Sequence, residues 1–302
     1  RSRAGLFADQ DNVSRRAGLG NSGRATYSAL SQDLHPPPGT RVKKLLLALM
    51  FGLNLSCEPP PPDQAIASAR PGQATAPARP PQATASAPPR QAIDFEQARR
   101  QMVEDQIEAR GVTDSRVLEA MSRVPRHEYV PAPYRAFAYS DTPLRIGFEQ
   151  TISQPYIVAL MTELVRPDPG DRILEIGTGS GYQAAVAAEL VSEVYSIEII
   201  PELARSAADR LERLGVSNVL VRAGDGYVGW PEQSPFDGIL VTAGAEHIPQ
   251  PLVEQLRPGA RMVIPVGDSA SVQILRVVEK LPGGEVEIRD ILPVRFVPLR
   301  RN

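Results

Sequence analysis

The ten residues Ile173-Leu174-Glu175-Ile176-Gly177-Thr178-Gly179-Ser180-Gly181-Tyr182 constrain the fold more than any other stretch of this chain. A short apolar run closes on Glu175-Ile176, three glycines follow at alternate positions, and an alanine-rich helical pattern opens. Glycines let the backbone turn tightly and approach a ligand closely, where Cβ atoms would obstruct it. Strand, turn and helix in immediate succession begin a βαβ unit, and such units build parallel sheets.

The sequence on either side keeps this texture. Strands are expected over Arg172–Ile176, Val194–Glu198, Val219–Val221, Gly238–Thr242 and Arg261–Val266, with helices over Gly181–Val191, Pro201–Leu214 and Pro249–Leu256. Apolar runs without alternation mark strands buried on both faces. Val272–Lys280 and Val286–Ile291, separated by Pro282-Gly283-Gly284, read as an antiparallel hairpin appended to that sheet. The expected fold class is α/β: a Rossmann-like open, mostly parallel seven-stranded sheet with helices on both faces and its ligand beyond the strand C-termini. Ahead of the sheet, Asp94 is a candidate N-cap for a helix through Arg110, with Phe95, Ala98, Met102 and Ile107 on one face and Gly111 as its stop. A second helix, capped by Asp114 or Ser115, would bury Val117, Leu118 and Met121.

The first 91 residues look different. From Glu58 to Arg90 the chain is mainly Pro, Ala, Gln, Thr and Arg, opening on Pro59-Pro60-Pro61-Pro62. With almost nothing to bury, residues 58–91 are expected to form an extended linker. Upstream, Arg41, Lys43 and Lys44 precede an apolar run from Leu45 to Leu55, then Ser56-Cys57. That run is shorter than the roughly 20 residues a membrane-spanning helix needs, and residues 42–57 read as a signal peptide. Ending on Ser-Cys, the segment resembles a bacterial lipoprotein signal in which Cys57 carries the lipid, although Asn54 stands where Leu is usual. An unprocessed extension is the other reading. Residues 1–41, rich in Arg, Ser and Gly, show no sustained period; they are expected to be unstructured, with translation starting near Val42. The folded unit is then residues 92–302, preceded by a disordered extension.

Charge follows the same division. Residues 1–90 carry 11 Lys/Arg against 5 Asp/Glu, and the remainder carry 22 against 30. An acidic folded part lacks the basic footprint of a nucleic-acid binder. A single cysteine, Cys57, excludes an intrachain disulfide and a cysteine-based zinc site. His35, His127 and His247 are too scattered in sequence to suggest a metal cluster.

A dinucleotide fingerprint would place its third glycine at position 182, which is Tyr. The pattern Glu-x-Gly-x-Gly-x-Gly instead resembles the first motif of the class I S-adenosylmethionine (AdoMet)-dependent methyltransferases, whose glycine loop accommodates the amino-acid end of the cofactor. That resemblance implies that Glu175, Gly177, Gly179 and Gly181 serve AdoMet. Two further acids fall where such a cofactor needs them. Glu198 closes the second strand, 17 residues after Gly181, and a carboxylate there can accept both ribose hydroxyls, as in dinucleotide sites. Asp225, in Gly224-Asp225-Gly226, can accept from the exocyclic adenine amine, with Gly226 beside it. A solvated strand end and an ordinary Asp turn are the respective alternatives.

Thr151-Ile152-Ser153-Gln154-Pro155, just before this unit, is similar to the T-I-S-x-P signature of the protein-L-isoaspartate O-methyltransferases. Val124-Pro125-Arg126, Tyr129-Val130-Pro131, Phe236-Asp237, Val241-Thr242-Ala243, Ile264-Pro265-Val266-Gly267 and Val294-Arg295-Phe296-Val297-Pro298-Leu299 also resemble that family, in order, over about residues 95–300. The resemblance implies methyl transfer from AdoMet, without a metal, to the free α-carboxylate of isoaspartyl residues in damaged proteins and peptides. The ester then closes to a succinimide that reopens partly to aspartate, which initiates repair. Ser153 is implied as the active-site residue that orients the carboxylate, with Thr151 assisting. Ile152, Val297, Pro298 and Leu299 are implied beside the substrate peptide.

Other roles stay open. Ser153 can cap the helix that begins near Pro155, and residues 297–299 can form an edge strand. His247 reads as a loop residue at the cleft mouth, and Tyr182 and Trp230 either border the cofactor or pack in the core. The expected enzyme is monomeric and cytoplasmic with no nucleic-acid partner; a periplasmic form anchored through Cys57 is the alternative. Rival functions are a class I methyltransferase with another acceptor and a non-catalytic, surface-tethered AdoMet- or peptide-binding module.

Deleting residues 1–91 is expected to leave cofactor binding and peptide methylation unchanged, because the linker offers no apolar face to pack. A truncated protein that unfolds, or that loses turnover at matched stability, would place the domain boundary elsewhere.

Overall fold

The protein is described here by a computed structural model covering residues 93–268 and 271–301. The linker, the signal-like segment and Cys57 lie outside the described residues. Asp94 caps the first helix, α1 (Phe95–Gln101), its carboxylate accepting from the Glu96 and Gln97 N–H groups. The expected helix to Arg110 is continuous in span but not uniform: a π-helical turn, Met102–Ile107, and a 3-10 turn, Glu108–Arg110, follow α1. Met102 and Ile107, five residues apart, are both fully buried, and i→i+5 winding brings such a pair onto one face. Gly111, at φ +92°, ends the run.

Helix α2 (Ser115–Arg123) is capped by Asp114 and buries Val117, Ala120 and Met121. Next comes a hairpin that the sequence reading did not anticipate, β1 (Leu144–Gly147) and β2 (Gln150–Ile152), paired antiparallel. Its tip turns through Gly147, Phe148 and Glu149, all with positive φ. Strand β2 runs through Ser153 into α3 (Pro155–Val165), whose Pro155 presets the first helical turn. Glu163 of α3 accepts from the Thr113 and Asp114 N–H groups and ties α3 to the start of α2.

The main sheet contains β3 (Arg172–Ile176), β4 (Glu193–Glu198), β5 (Val219–Ala223), β6 (Phe236–Val241), β7 (Leu256–Val266), β8 (Gln273–Lys280) and β9 (Val286–Val294). Its strand order is β5-β4-β3-β6-β7-β8-β9, with β3 to β7 parallel and β8 and β9 antiparallel. The expected seven-stranded architecture is therefore the observed one. Strand limits differ: β5 runs to Ala223, β6 begins at Phe236, β7 at Leu256, and β9 extends to Val294. Helices α4 (Tyr182–Ala188), α5 (Pro201–Arg213) and α6 (Gln250–Gln255) connect the parallel strands.

Alternate residues of β3 feed two apolar layers. Ile173 joins α2, α3 and α4 side chains, whereas Leu174 and Ile176 join Tyr195, Phe236 and Leu252. Successive strands β3, β4 and β5 step outward in one direction and β6 returns to the other side of β3. Such a switch opens a crevice beyond the strand C-termini. Among the described residues no helix is long and apolar enough to cross a membrane, and no group of three acidic, His or Cys side chains could hold a metal.

Candidate active site

The crevice is built on the turn that leaves β3. Gly177 has φ +99°, and a Cβ there would come within 2.6 Å of Thr242 Oγ1. The turn is fastened from both neighbouring strands. Gly177 N–H donates to Ile197 O of β4 (2.8 Å), and Thr242, just after β6, donates its backbone N–H to Ile176 O (2.9 Å). The Thr242 hydroxyl is 2.7 Å from Gly177 O and 3.0 Å from Ile176 O. Glu198, at the end of β4 and 5% exposed, accepts from Gly179 N–H through Oε2 (2.8 Å) and from Ile200 N–H through Oε1 (3.0 Å). It still lines the cavity over the turn, together with Gly177, Gly179, Tyr182 and Gly226. At Gly226 a Cβ would collide with Ile176 Cγ2.

Glu175 does not reach this cavity, which corrects its expected place at the cofactor. It points into the protein, fully buried, and accepts from the Ser196 hydroxyl. Ser196 Oγ lies 2.6 Å from Thr178 Oγ1, so a side-chain relay supports the glycine turn from below. Glu175 Oε1 has no hydrogen-bond partner. Burial, reinforced by the nearby charge of Glu198 and opposed by the Ser196 hydrogen bond, pushes the carboxyl up to about 8. Asp225 also stays off the cavity wall: its Oδ1 accepts from Tyr227 N–H (2.9 Å), the turn geometry that was the alternative reading.

Thr151, Ile152 and Ser153 face the glycine turn from the roof of the same cavity. Helix α3 takes Gln154 as its N-cap, without a side-chain hydrogen bond, so Ser153 is not spent as a cap. Val297, Pro298 and Leu299 line the cavity because the C-terminal tail pairs with the loop after β6. Gly244 N–H donates to Val297 O, and Leu299 N–H to Gly244 O, each at 2.8 Å.

A second cavity of about 460 Å³ opens on the far side of Thr151 and Ser153. Ile157, Leu292, Val294 and Phe296 give it apolar walls, and Arg110 and Arg295 are also in its lining. Thr151, Ser153, Thr242 and Val297 line both cavities. Ile152, Pro298 and Leu299 line only the first, and Leu299 packs towards Gly226. His247 is exposed on its loop, 6.1 Å from the Tyr227 ring, and lines neither cavity. Trp230 packs in the core against Tyr195, whereas Tyr182 lines the first cavity.

The sequence reading missed three features. Thr242 appeared only as part of a motif, and its bond to the turn joins residues 65 apart. The β1–β2 roof is too short to show a period. Arg126, fully buried, donates to Ser153 O at 2.7 Å, and nothing in a charged residue's local sequence signals such burial.

A family model described as Protein-L-isoaspartate(D-aspartate) O-methyltransferase matches residues 97–302. Protein-L-isoaspartate O-methyltransferase 2 of Syntrophobacter fumaroxidans is 62% identical over 186 residues, covering 62% of this chain and 75% of the relative. Protein-L-isoaspartate O-methyltransferase of Gloeobacter violaceus is 56% identical over 201 residues, covering 67% of this chain and 98% of the relative. A solved protein-L-isoaspartate O-methyltransferase superposes with a TM-score of 0.60 at 33% identity, covering 66% of this chain and 65% of that one. A Plasmodium falciparum structure of that description, in complex with S-adenosyl-L-homocysteine, gives 0.59 at 26% identity, covering 68% and 99%.

The Glu175 environment has a consequence for stability. Because the folded carboxyl titrates above its ordinary 4.5, its contribution is full below about pH 4.5 and is lost as pH rises through about 8. Glu175→Gln keeps an acceptor for Ser196 and removes the titration. Urea unfolding should show wild type losing stability relative to the variant between those two pH values. Parallel pH profiles would mean that Glu175 is not held neutral by its surroundings.

Proposed function

We propose that this chain, which belongs to the protein-L-isoaspartate(D-aspartate) O-methyltransferase family, transfers a methyl group from AdoMet to the free α-carboxylate of L-isoaspartyl residues in damaged proteins and peptides. The observation that carries this reading is the junction of two cavities at Ser153. A glycine-turn cavity for a donor meets an apolar cleft for a peptide, and the hydroxyl-bearing Thr151, Ser153 and Thr242 line both.

The residues of the first cavity fit AdoMet. The missing Cβ atoms at Gly177 and Gly226 let Thr242 and Ile176 pack against the turn, which holds its backbone in the cavity wall. Gly177 and Gly179 take the amino-acid end of AdoMet, whereas Gly181, the N-cap of α4, packs toward Leu211 off the cavity and corrects its expected place at the cofactor. Glu198 keeps lone pairs for the ribose hydroxyls beyond those given to Gly179 and Ile200. Asp225, off the cavity wall with Oδ1 engaged in its own turn, is given no contact with the cofactor. Glu175 acts one layer back, through Ser196 and Thr178.

When bound, AdoMet supplies an electrophilic methyl on a positively charged sulfur. The acceptor needs no base: an α-carboxyl has an ordinary pKa of about 3.3–3.7 and is already ionised at neutral pH. What the chain must contribute is position. The Ser153 hydroxyl donates to one carboxylate oxygen and leaves the other aimed at the methyl, with Thr151 beside it. Val297 flanks the acceptor, and Ile152, Pro298 and Leu299 close the donor side. Carboxylate and sulfonium charges neutralise each other as the methyl transfers, so a water-poor junction favours the step.

The enzyme is proposed to act as a monomer. The acidic balance of residues 91–302 supports a peptide rather than a nucleic-acid partner. AdoMet is a cytoplasmic metabolite, and the cytoplasm is the proposed compartment; palmitate label on Cys57 would overturn that placement.

A methyl-transfer assay with paired isoaspartyl and aspartyl peptides tests the function: only the former should be methylated, and equal labelling would remove the reading. At saturating AdoMet, the rate on a peptide without other ionisable groups should be nearly flat from about pH 6 to 8. Ser153→Ala should lower that plateau by about 1–3 kcal/mol in barrier terms, without a new pH dependence and with little change in cofactor affinity. A wild-type rate that climbs tenfold per pH unit, with the slope lost in His247→Ala, would point to a histidine base and another acceptor. Glu198→Ala should weaken AdoMet binding at least about tenfold, since hydrogen bonds to a charged group are worth roughly 1.5–3 kcal/mol. An unchanged dissociation constant would show that Glu198 is not the ribose acceptor.

A further inference from the structure

Arg126 is the one Lys or Arg buried among the described residues, at 0% exposure. It opens the 3-10 turn Arg126–Tyr129. Burying a charge is costly unless a partner compensates it, and the usual partner is a carboxylate. Among the described residues no carboxylate forms an ion pair with it, and Tyr139 and Tyr182 are the side chains nearest its charge. Nε donates to Ala138 O and Nη2 to Ser153 O, each at 2.7 Å. The guanidinium carbon lies 4.8 Å above the Tyr182 ring, and Nη1 has no partner. Burial pushes the group down only to about 10, so it remains charged at neutral pH.

The two carbonyls that Arg126 grips are not neighbours. Ala138 precedes the β1–β2 hairpin and Ser153 follows it, so a single planar fork clamps both feet of the roof over the cofactor cavity. Ile146 of that roof lies close over Gly179, 3.3 Å from where a Cβ would stand, and Thr151 and Ile152 line the cavity directly. The same clamp ends at the backbone of Ser153, and Tyr182, beneath the guanidinium, is the first residue after the glycine turn.

We propose that Arg126 is a positioning residue of the acceptor site: it fixes Ser153 and the hairpin roof, and it presents behind them a positive charge that no side-chain carboxylate neutralises. The inference rests on the isoaspartyl reading, in which an anion docks at Ser153. The two contributions separate in kinetics. Orientation of the carboxylate is needed in the transition state and acts on kcat. The charge acts mainly on KM, because methyl transfer consumes the carboxylate's negative charge and a nearby cation favours the bound anion over the transition state.

Arg126→Lys keeps the charge and loses the fork; its kcat should fall about tenfold or more with the KM for an isoaspartyl peptide nearly unchanged. Arg126→Gln loses both, and its KM should rise as well. AdoMet dissociation constants and unfolding midpoints identify variants that are simply misfolded. In a Ser153→Ala background the kcat effect of Arg126→Lys should shrink to about twofold or less, since residues acting as one unit are not additive. Full additivity, or an unaltered Arg126→Lys enzyme, would overturn the proposal. If neither variant folds, NMR of the arginine-labelled wild type decides the matter. With S-adenosylhomocysteine bound, the Arg126 Nε–H resonance should move on adding an isoaspartyl peptide and not its α-carboxamide counterpart; equal or absent shifts overturn the proposal. Wild-type protein that fails to methylate isoaspartyl peptide would instead remove the underlying functional reading, leaving the two failures distinguishable.

Discussion

The Glu198 carboxylate holds the turn on which the rest of the site depends. Through Oε2 it takes the Gly179 N–H, and through Oε1 the Ile200 N–H at the start of α5, so the end of β4 fixes both the glycine turn and the helix that follows it. Thr242 fastens the other side of the turn from β6. A left-handed glycine at 177 permits this closeness, because any Cβ there would meet the Thr242 hydroxyl. The switch in strand order between β4 and β6, on either side of β3, makes all three contacts available at one point. The cavity, the roof and the acceptor cleft are arranged around that point.

The ionisable groups about the site differ in what surrounds them. Glu175 is sealed beneath the turn with a serine hydroxyl as its side-chain partner, and its pKa of about 8 keeps it mostly neutral at pH 7. A neutral acid there spares the interior a second charge beside Glu198. Arg126 is equally buried but keeps its charge, because two carbonyl oxygens and an aromatic face replace water around it. Such a separation of states by environment is how one site can hold like-charged groups and still recognise an anion.

Much of this was legible because the information was local. The β3 strand, its glycine turn and the following helix occupy ten consecutive residues, and the apolar runs of β4, β6 and β7 identify strands buried on both faces. Asp94 and Gly111 mark the limits of the first helical run by capping chemistry that acts within a few residues. The less legible parts depend on distant partners. Glu175 looked like a cofactor ligand because it sits in the motif, yet Ser196 on the neighbouring strand draws it inward. Asp225 is likewise held by its own turn. The β1–β2 hairpin, with three and four residues in its strands and two non-glycine residues at positive φ in its tip, follows from packing and not from pattern. The clamp from Arg126 joins residues 12 and 27 positions away.

The central claim is that donor and acceptor meet at Ser153, in the junction between the two cavities. It is tested most directly by a crystal structure of the full chain with S-adenosylhomocysteine and an isoaspartyl peptide bound together. The account predicts the cofactor product over the glycine turn with its ribose on Glu198, the peptide in the cleft beside Val297, and its α-carboxylate at Ser153 in line with the sulfur. A peptide carboxylate bound away from Ser153, or a cofactor product that leaves Glu198 untouched, would contradict it.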